Sequence, residues 1–341
     1  MERKGRPLSH TIDLGTASIV PLIAIGAEVL FQFIVIALSL PETARNWVVI
    51  VGNQIVFFLT CFVFVRFRRI DLAELTGVKR VPKIYFFPLF ALVAVLCVFT
   101  FAPLAGLFSS LLRKMGYHYA PNYFVPFDNV GLFILALLGL TVLPAIGEET
   151  LMRGVLLSGA KRKSPFFAIC FTSLVFALFH GNLVQLVHQF LLGAVMAYLV
   201  LLTRSIWASA AVHAVNNAAA LTVEYLYVNG SIGGDAYGYF TADFSKGLSV
   251  GAFVAIFLAS LVLLAGTLVV ITYLIKCARS RARVSQGAPE RQTLREMLTD
   301  PQEETVPAED PFAGYGKYFP IFLVAALVLL LVSNVVSEAL K

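Results

Sequence analysis

Residues 130–160 read VGLFILALLGLTVLPAIGEETLMRGVLLSGA. As a helix this stretch would run about 45 Å at roughly 1.5 Å per residue, longer than the roughly 30 Å hydrocarbon core of a bilayer. Up to Gly147 it carries no charge. Then Glu148, Glu149 and Arg153 appear within the same apolar run. The apolar part predicts a membrane-spanning helix. The charged part needs its own reason, because an ionisable residue inside a span costs about 2.5–3.5 kcal/mol on insertion scales.

The rest of the chain has the same character. Its 341 residues are 59% hydrophobic and 13% charged, with a mean hydropathy of +0.83. A soluble domain is about 45–50% apolar and about 25% charged. That composition excludes a soluble enzyme and a disordered chain, and the long unbroken apolar runs exclude a β-barrel. The expected fold is an all-α, polytopic transmembrane helical bundle of about nine spans. These fall near 17–40, 46–65, 84–109, 130–160, 165–180, 183–203, 206–228, 248–275 and 319–339. The fifth is short and polar residues interrupt the fourth. The first follows Arg3, Lys4 and Arg6 but is too long for a secretory signal, so it reads as a retained anchor.

The net charge of +6 would suit nucleic acid or an anionic membrane. Its distribution points to the membrane, with no nucleic-acid partner. With a cytoplasmic N-terminus and nine crossings, twenty of the 26 Lys and Arg residues fall in cytoplasmic segments. Arg45, Arg113, Lys114, Lys246 and Lys341 fall outside, and Arg153 lies within a span. This is the positive-inside pattern. The chain divides into a three-span region (1–129), a core (130–228) in spans four to seven, an outer loop with the eighth span (229–275), a charged cytoplasmic linker (276–317) and a last span (318–341). The linker is expected to be flexible, or to hold a short surface helix near 289–298. Cys61, Cys97, Cys170 and Cys277 form no CxxC pair and no disulfide framework.

Most ionisable groups within spans cluster between 148 and 224. Glu149 and Arg153 are four apart, so they share a helix face and can pair. Glu148 points about 100° away and is left without that partner, which suits a general base or a proton carrier. His180 closes the sequence Phe176-Ala-Leu-Phe-His180. His213 and Asn217 share a face and can donate together to a developing oxyanion. Each group also has a plain structural reading: a buried ion pair, a bonded helix-end histidine, an interhelical clamp. Helix rise places all of them within the bilayer, His180 toward its outer side. Outside this set, Glu28 reads as a carboxylate that snorkels or bonds a neighbouring helix, and His188 as a helix contact. Glu224 lies three turns beyond His213 and could line the same cavity.

Glu148-Glu149-xxx-Arg153, Phe176-xxx-His180 and His213-xxx-Asn217, in this order and each within an apolar span, resemble the CPBP family of CAAX prenyl proteases and bacteriocin-processing (Abi) proteins. Phe190-xx-Gly193, Tyr198 and Ser205-Ile206-Trp207 add to the resemblance, which covers about 130–225. It implies an intramembrane glutamic endopeptidase without a cofactor. Glu148 and His180 would activate a water, His213 and Asn217 would stabilise the oxyanion, and Glu149 and Arg153 would hold the geometry. The substrate would be a peptide or membrane-anchored protein. The basic N-terminus and compact loops read as prokaryotic, in a plasma membrane, and point away from a prenylated substrate. Three other readings stay open: a zinc peptidase with Glu148, His180 and His213 as ligands, a non-proteolytic immunity or scaffold protein of the same fold, and a proton-coupled transporter carrying its proton on Glu148.

Overall fold

The computed structural model describes residues 12–117, 129–284, 293–299 and 318–339, with side chains described to 282 and to 335 in the second and last of these. The basic N-terminus, Lys341 and most of the charged linker lie outside these residues. Every element of four or more residues is helical and no strand occurs among the described residues. In chain order the helices are α1 (Leu14–Ala37), α2 (Glu42–Phe67), α3 (Leu72–Thr76), α4 (Phe86–Lys114), α5 (Val130–Ala160), α6 (Pro165–Phe179), α7 (Leu183–Thr203), α8 (Ile206–Val228), α9 (Gly234–Thr241), α10 (Val250–Val284), α11 (Leu294–Leu298) and α12 (Phe319–Ala339).

Six of these helices, α1, α2, α4, α5, α7 and α10, are long and apolar enough to cross a membrane. The other three expected spans are helical but differ for physical reasons. Helix α6 has only 15 residues. Helix α12 is an apolar helix of shorter length over its fully described part, Phe319–Val335. Helix α8 is long, but His213, Asn216, Asn217 and Glu224 lower its hydropathy. The short surface helix foreseen in the linker is α11, closed by a capping box between Thr293 and Glu296.

Helix α4 is the central pillar. Half of its apolar window is buried, against 17% for α10, which leaves most of its apolar surface outside the bundle. Helix α4 packs against α7, α8 and α10, while α6 and α7 form the tightest pair. Side-chain caps set the starts of the core helices: Ser164 for α6, Asn182 for α7 and Ser205 for α8. Arg204 adopts left-handed backbone (φ 57°) to turn α7 into α8.

Helix α5 is continuous through its polar part but underwound twice, with π-turns at Leu138–Val142 and Thr150–Leu156. The first has a visible cause. In an α-helix the carbonyl of Leu140 would take the N–H of residue 144, and Pro144 has none. The carbonyl instead accepts from Asn217 Nδ2 of α8 at 3.1 Å. The second π-turn begins directly after Glu149 and contains Arg153. Extra-residue turns of this kind gather at functional sites.

Candidate active site

Glu149 is the hub. Its Oε1 accepts from Arg153 Nη1 at 2.8 Å and from His213 Nδ1 at 2.8 Å. The side chains of Glu149 and Arg153 are fully buried and His213 is 2% exposed. Burial of this pair is tolerable because opposite charges compensate and further bonds hold the cation. Arg153 also donates to the carbonyl of Gly193 at 3.3 Å and lies 4.4 Å above the Phe176 ring. The fit at Gly193 is close: a Cβ would come within 3.1–3.3 Å of Ser173 and Phe176. The expected i, i+4 pairing of Glu149 and Arg153 is present, despite the π-turn.

His213 lies between two carboxylates, one at each ring nitrogen. Nδ1 meets Glu149, and Nε2 lies 3.9 Å from Glu148 Oε2. A carboxylate only accepts, so Nδ1 carries a proton. Nε2 can then donate only when the ring is an imidazolium. Phe176 stacks edge-on against both histidines, at 5.8 Å from His213 and 4.9 Å from His180. His180 Nδ1 donates to the Phe176 carbonyl at 2.8 Å. This fixes the tautomer whose Nε2 has a lone pair. His180 also feels the charges of Glu148, His213 and Arg153.

Glu148 departs from its sequence reading in one respect. It is not without a partner, because Gln54 Nε2 of α2 donates to its Oε1 at 2.9 Å. Its side chain is 14% exposed, against 0–3% for Glu149, Arg153 and His213, so Glu148 is the accessible member. Gly147 makes the Gln54 bond possible. A Cβ there would lie 2.6 Å from Gln54 Oε1 and 2.9 Å from its carbonyl oxygen. Sequence reading passed over Gln54 because it counted ionisable groups. The available signal was a polar pair, Asn53-Gln54, within an apolar span.

Asn217 shares the His213 face, yet one of its N–H bonds is already committed to Leu140; its amide has a second. Asn216 instead clamps helices, meeting His188 Nε2 at 3.2 Å and donating to the Ala94 carbonyl of α4. Glu28 accepts from Asn53 at 2.9 Å and from Gln32 at 3.2 Å. Glu224 does not join the site. It accepts from the Tyr237 hydroxyl of α9, beside the Tyr227–Tyr237 stack and Lys246. As for the zinc set, no group of three His, Cys, Asp or Glu side chains among the described residues is arranged to hold a metal.

These groups form a charged, hydrogen-bonded centre enclosed by apolar helices, the kind of constellation that supports acid–base chemistry inside a membrane. Residues 130–219 match the family model described as Rce1-like, type II CAAX prenyl endopeptidase. The match runs from the start of α5 into α8 and takes in all three motifs. No curated protein and no solved structure matches the chain. Six bilayer-length apolar helices and a match to a membrane protease family support an integral membrane protein of peptidase type, with the bilayer and a peptide or protein substrate as its partners.

Proposed function

We propose that the chain is a metal-free intramembrane endopeptidase that hydrolyses a peptide bond of a membrane-associated protein or peptide. The observation that carries this reading is the His213 bridge. It joins a fully buried ion pair to the one carboxylate of the group that is accessible. At 3.9 Å the Glu148–His213 contact is too long for a direct hydrogen bond, and it suits a water held between them.

In this mechanism Glu148 takes a proton from the water, helped by the His180 Nε2 lone pair, as the water oxygen attacks the carbonyl carbon. The carbonyl π electrons move to oxygen. His213 and the second N–H of Asn217 stabilise that oxyanion. Glu148 then gives its proton to the departing nitrogen as the C–N bond breaks. Glu149 and Arg153 touch no reacting atom and hold His213 in place.

The test is Glu148→Ala and His180→Ala in the native host, read by membrane peptidomics. Loss of general-base action lowers product formation by about 10²–10⁴-fold. Unchanged products and unchanged biology in both variants overturn the reading in favour of a scaffold. Stoichiometric zinc in the purified chain, with activity lost to chelator and restored by zinc, overturns the metal-free mechanism.

A further inference from the structure

Helices α1 and α2 lie outside the matched segment, yet they reach its most accessible carboxylate. Asn53 and Gln54 are neighbours on α2 and point about 100° apart. Asn53 Nδ2 donates to Glu28 Oε1 on α1 at 2.9 Å, and Gln54 Nε2 donates to Glu148 Oε1 on α5 at 2.9 Å. The first bond sets the rotation of α2 against α1, and the second uses that rotation. Gly52 lets α1 and α2 close, since a Cβ there would overlap the Phe31 ring. Gly147 lets α2 and α5 close in the same way, at Gln54 itself.

The Gln54 amide is also oriented at a cost. Its Oε1 is buried with no hydrogen-bond partner, an arrangement that costs the desolvation of that oxygen. Turning the amide over would aim that oxygen at a carboxylate, which is worse. A side chain present only to fill space would not need an amide here.

We propose that Gln54, held in register by the Glu28–Asn53 bond, is a positioning residue that pins one oxygen of Glu148 so that the other faces His213 Nε2. This rests on Glu148 as the base. Gln54 touches no reacting atom. Oε1 is fixed from the α2 side, and Oε2 is left to the water.

The experiment uses the full chain in lipid nanodiscs, with an internally quenched peptide spanning the cleavage site mapped by the peptidomics. A second arm reads the Glu148 carboxylate stretch by infrared difference, each variant against its own Glu148→Gln partner. Gln54→Met and Gln54→Leu keep about the same volume and lose the donor. Both variants are expected to lower kcat by about 10- to 100-fold, the range for a hydrogen bond to a charged group. KM stays within about twofold, and the Glu148 band shifts. Glu28→Gln can still accept from Asn53, so it keeps kcat within about threefold of the parent, whereas Glu28→Leu and Asn53→Leu lose about fivefold or more, the scale of one neutral hydrogen bond.

A Gln54→Met variant with parental kcat and an unshifted band overturns the proposal. So does a Glu28→Leu variant equal to the parent. The infrared arm reads the Gln54–Glu148 bond whether or not the chain cleaves peptides. A parent that cleaves nothing while Gln54→Met still shifts the band overturns the peptidase reading and leaves the pinning of Glu148 standing.

Discussion

Helix α8 carries two polar groups eleven residues apart, and they meet opposite fates. At one end His213 sits at 2% exposure between Glu148 and Glu149, with Arg153 behind. At the other, Glu224 accepts from Tyr237, and Lys246 donates to Tyr227 at 2.7 Å and lies over both tyrosine rings. Both clusters pair a carboxylate with a cation and aromatic rings. The inner one draws its partners from core helices, so nothing can relax toward water when one is removed. The outer one draws them from α9 and the loop after it, where solvent screens what remains. Position along one helix therefore decides whether a charge is a structural commitment or a surface adjustment.

The comparison breaks if the inner cluster proves as tolerant as the outer. The largest stability effect is expected for Arg153→Met, which leaves Glu149 buried and uncompensated. A loss of about 3–5 kcal/mol follows, read as thermal unfolding in detergent. Gly147→Ala comes next. The added methyl meets α2 at Gln54, so overpacking of about 1–3 kcal/mol accompanies a fall in cleavage, and no other substitution at the site is as small. Glu224→Gln sharpens the contrast: unfolding moves by about 0.5 kcal/mol or less and peptide products stay at the parental level.

The smallest effect concerns pH. Burial, and then the hydrogen bond and charge of Glu224, hold the Tyr237 phenol above the ordinary tyrosine value of about 10. The folded chain keeps this proton where the unfolded chain releases it. Its contribution to stability is intact below about pH 10 and falls as pH rises from there through the folded value. Tyrosinate absorbance near 295 nm should show a late-ionising component, and Glu224→Gln should shrink it. The Tyr227 hydroxyl holds Lys246 above the usual lysine range.

Much of the inner cluster was legible without coordinates. Glu149 and Arg153 are four apart, and that spacing alone brings them together. The free direction of Glu148 was legible for the same reason, since helix geometry separates adjacent residues by about 100°. What escaped was whatever depends on a second helix. Gln54 is 94 residues from Glu148, and Tyr237 is 13 from Glu224 across a loop. The π-turns escaped as well, although Pro144 marked one of them.

By itself the sequence determined the solvent, the helices and the residue types at the centre. Apolar content, charge placement and helical spacing are local quantities, and each can be read along one strand of text. The tertiary structure alone decided who meets whom: that His213 joins two carboxylates, that Asn217 spends one donor on the carbonyl Pro144 leaves open, and that Gln54 finds Glu148. Hydrogen bonds act over about 3 Å, so partners on different helices exist only once packing has set the rotation and depth of each one.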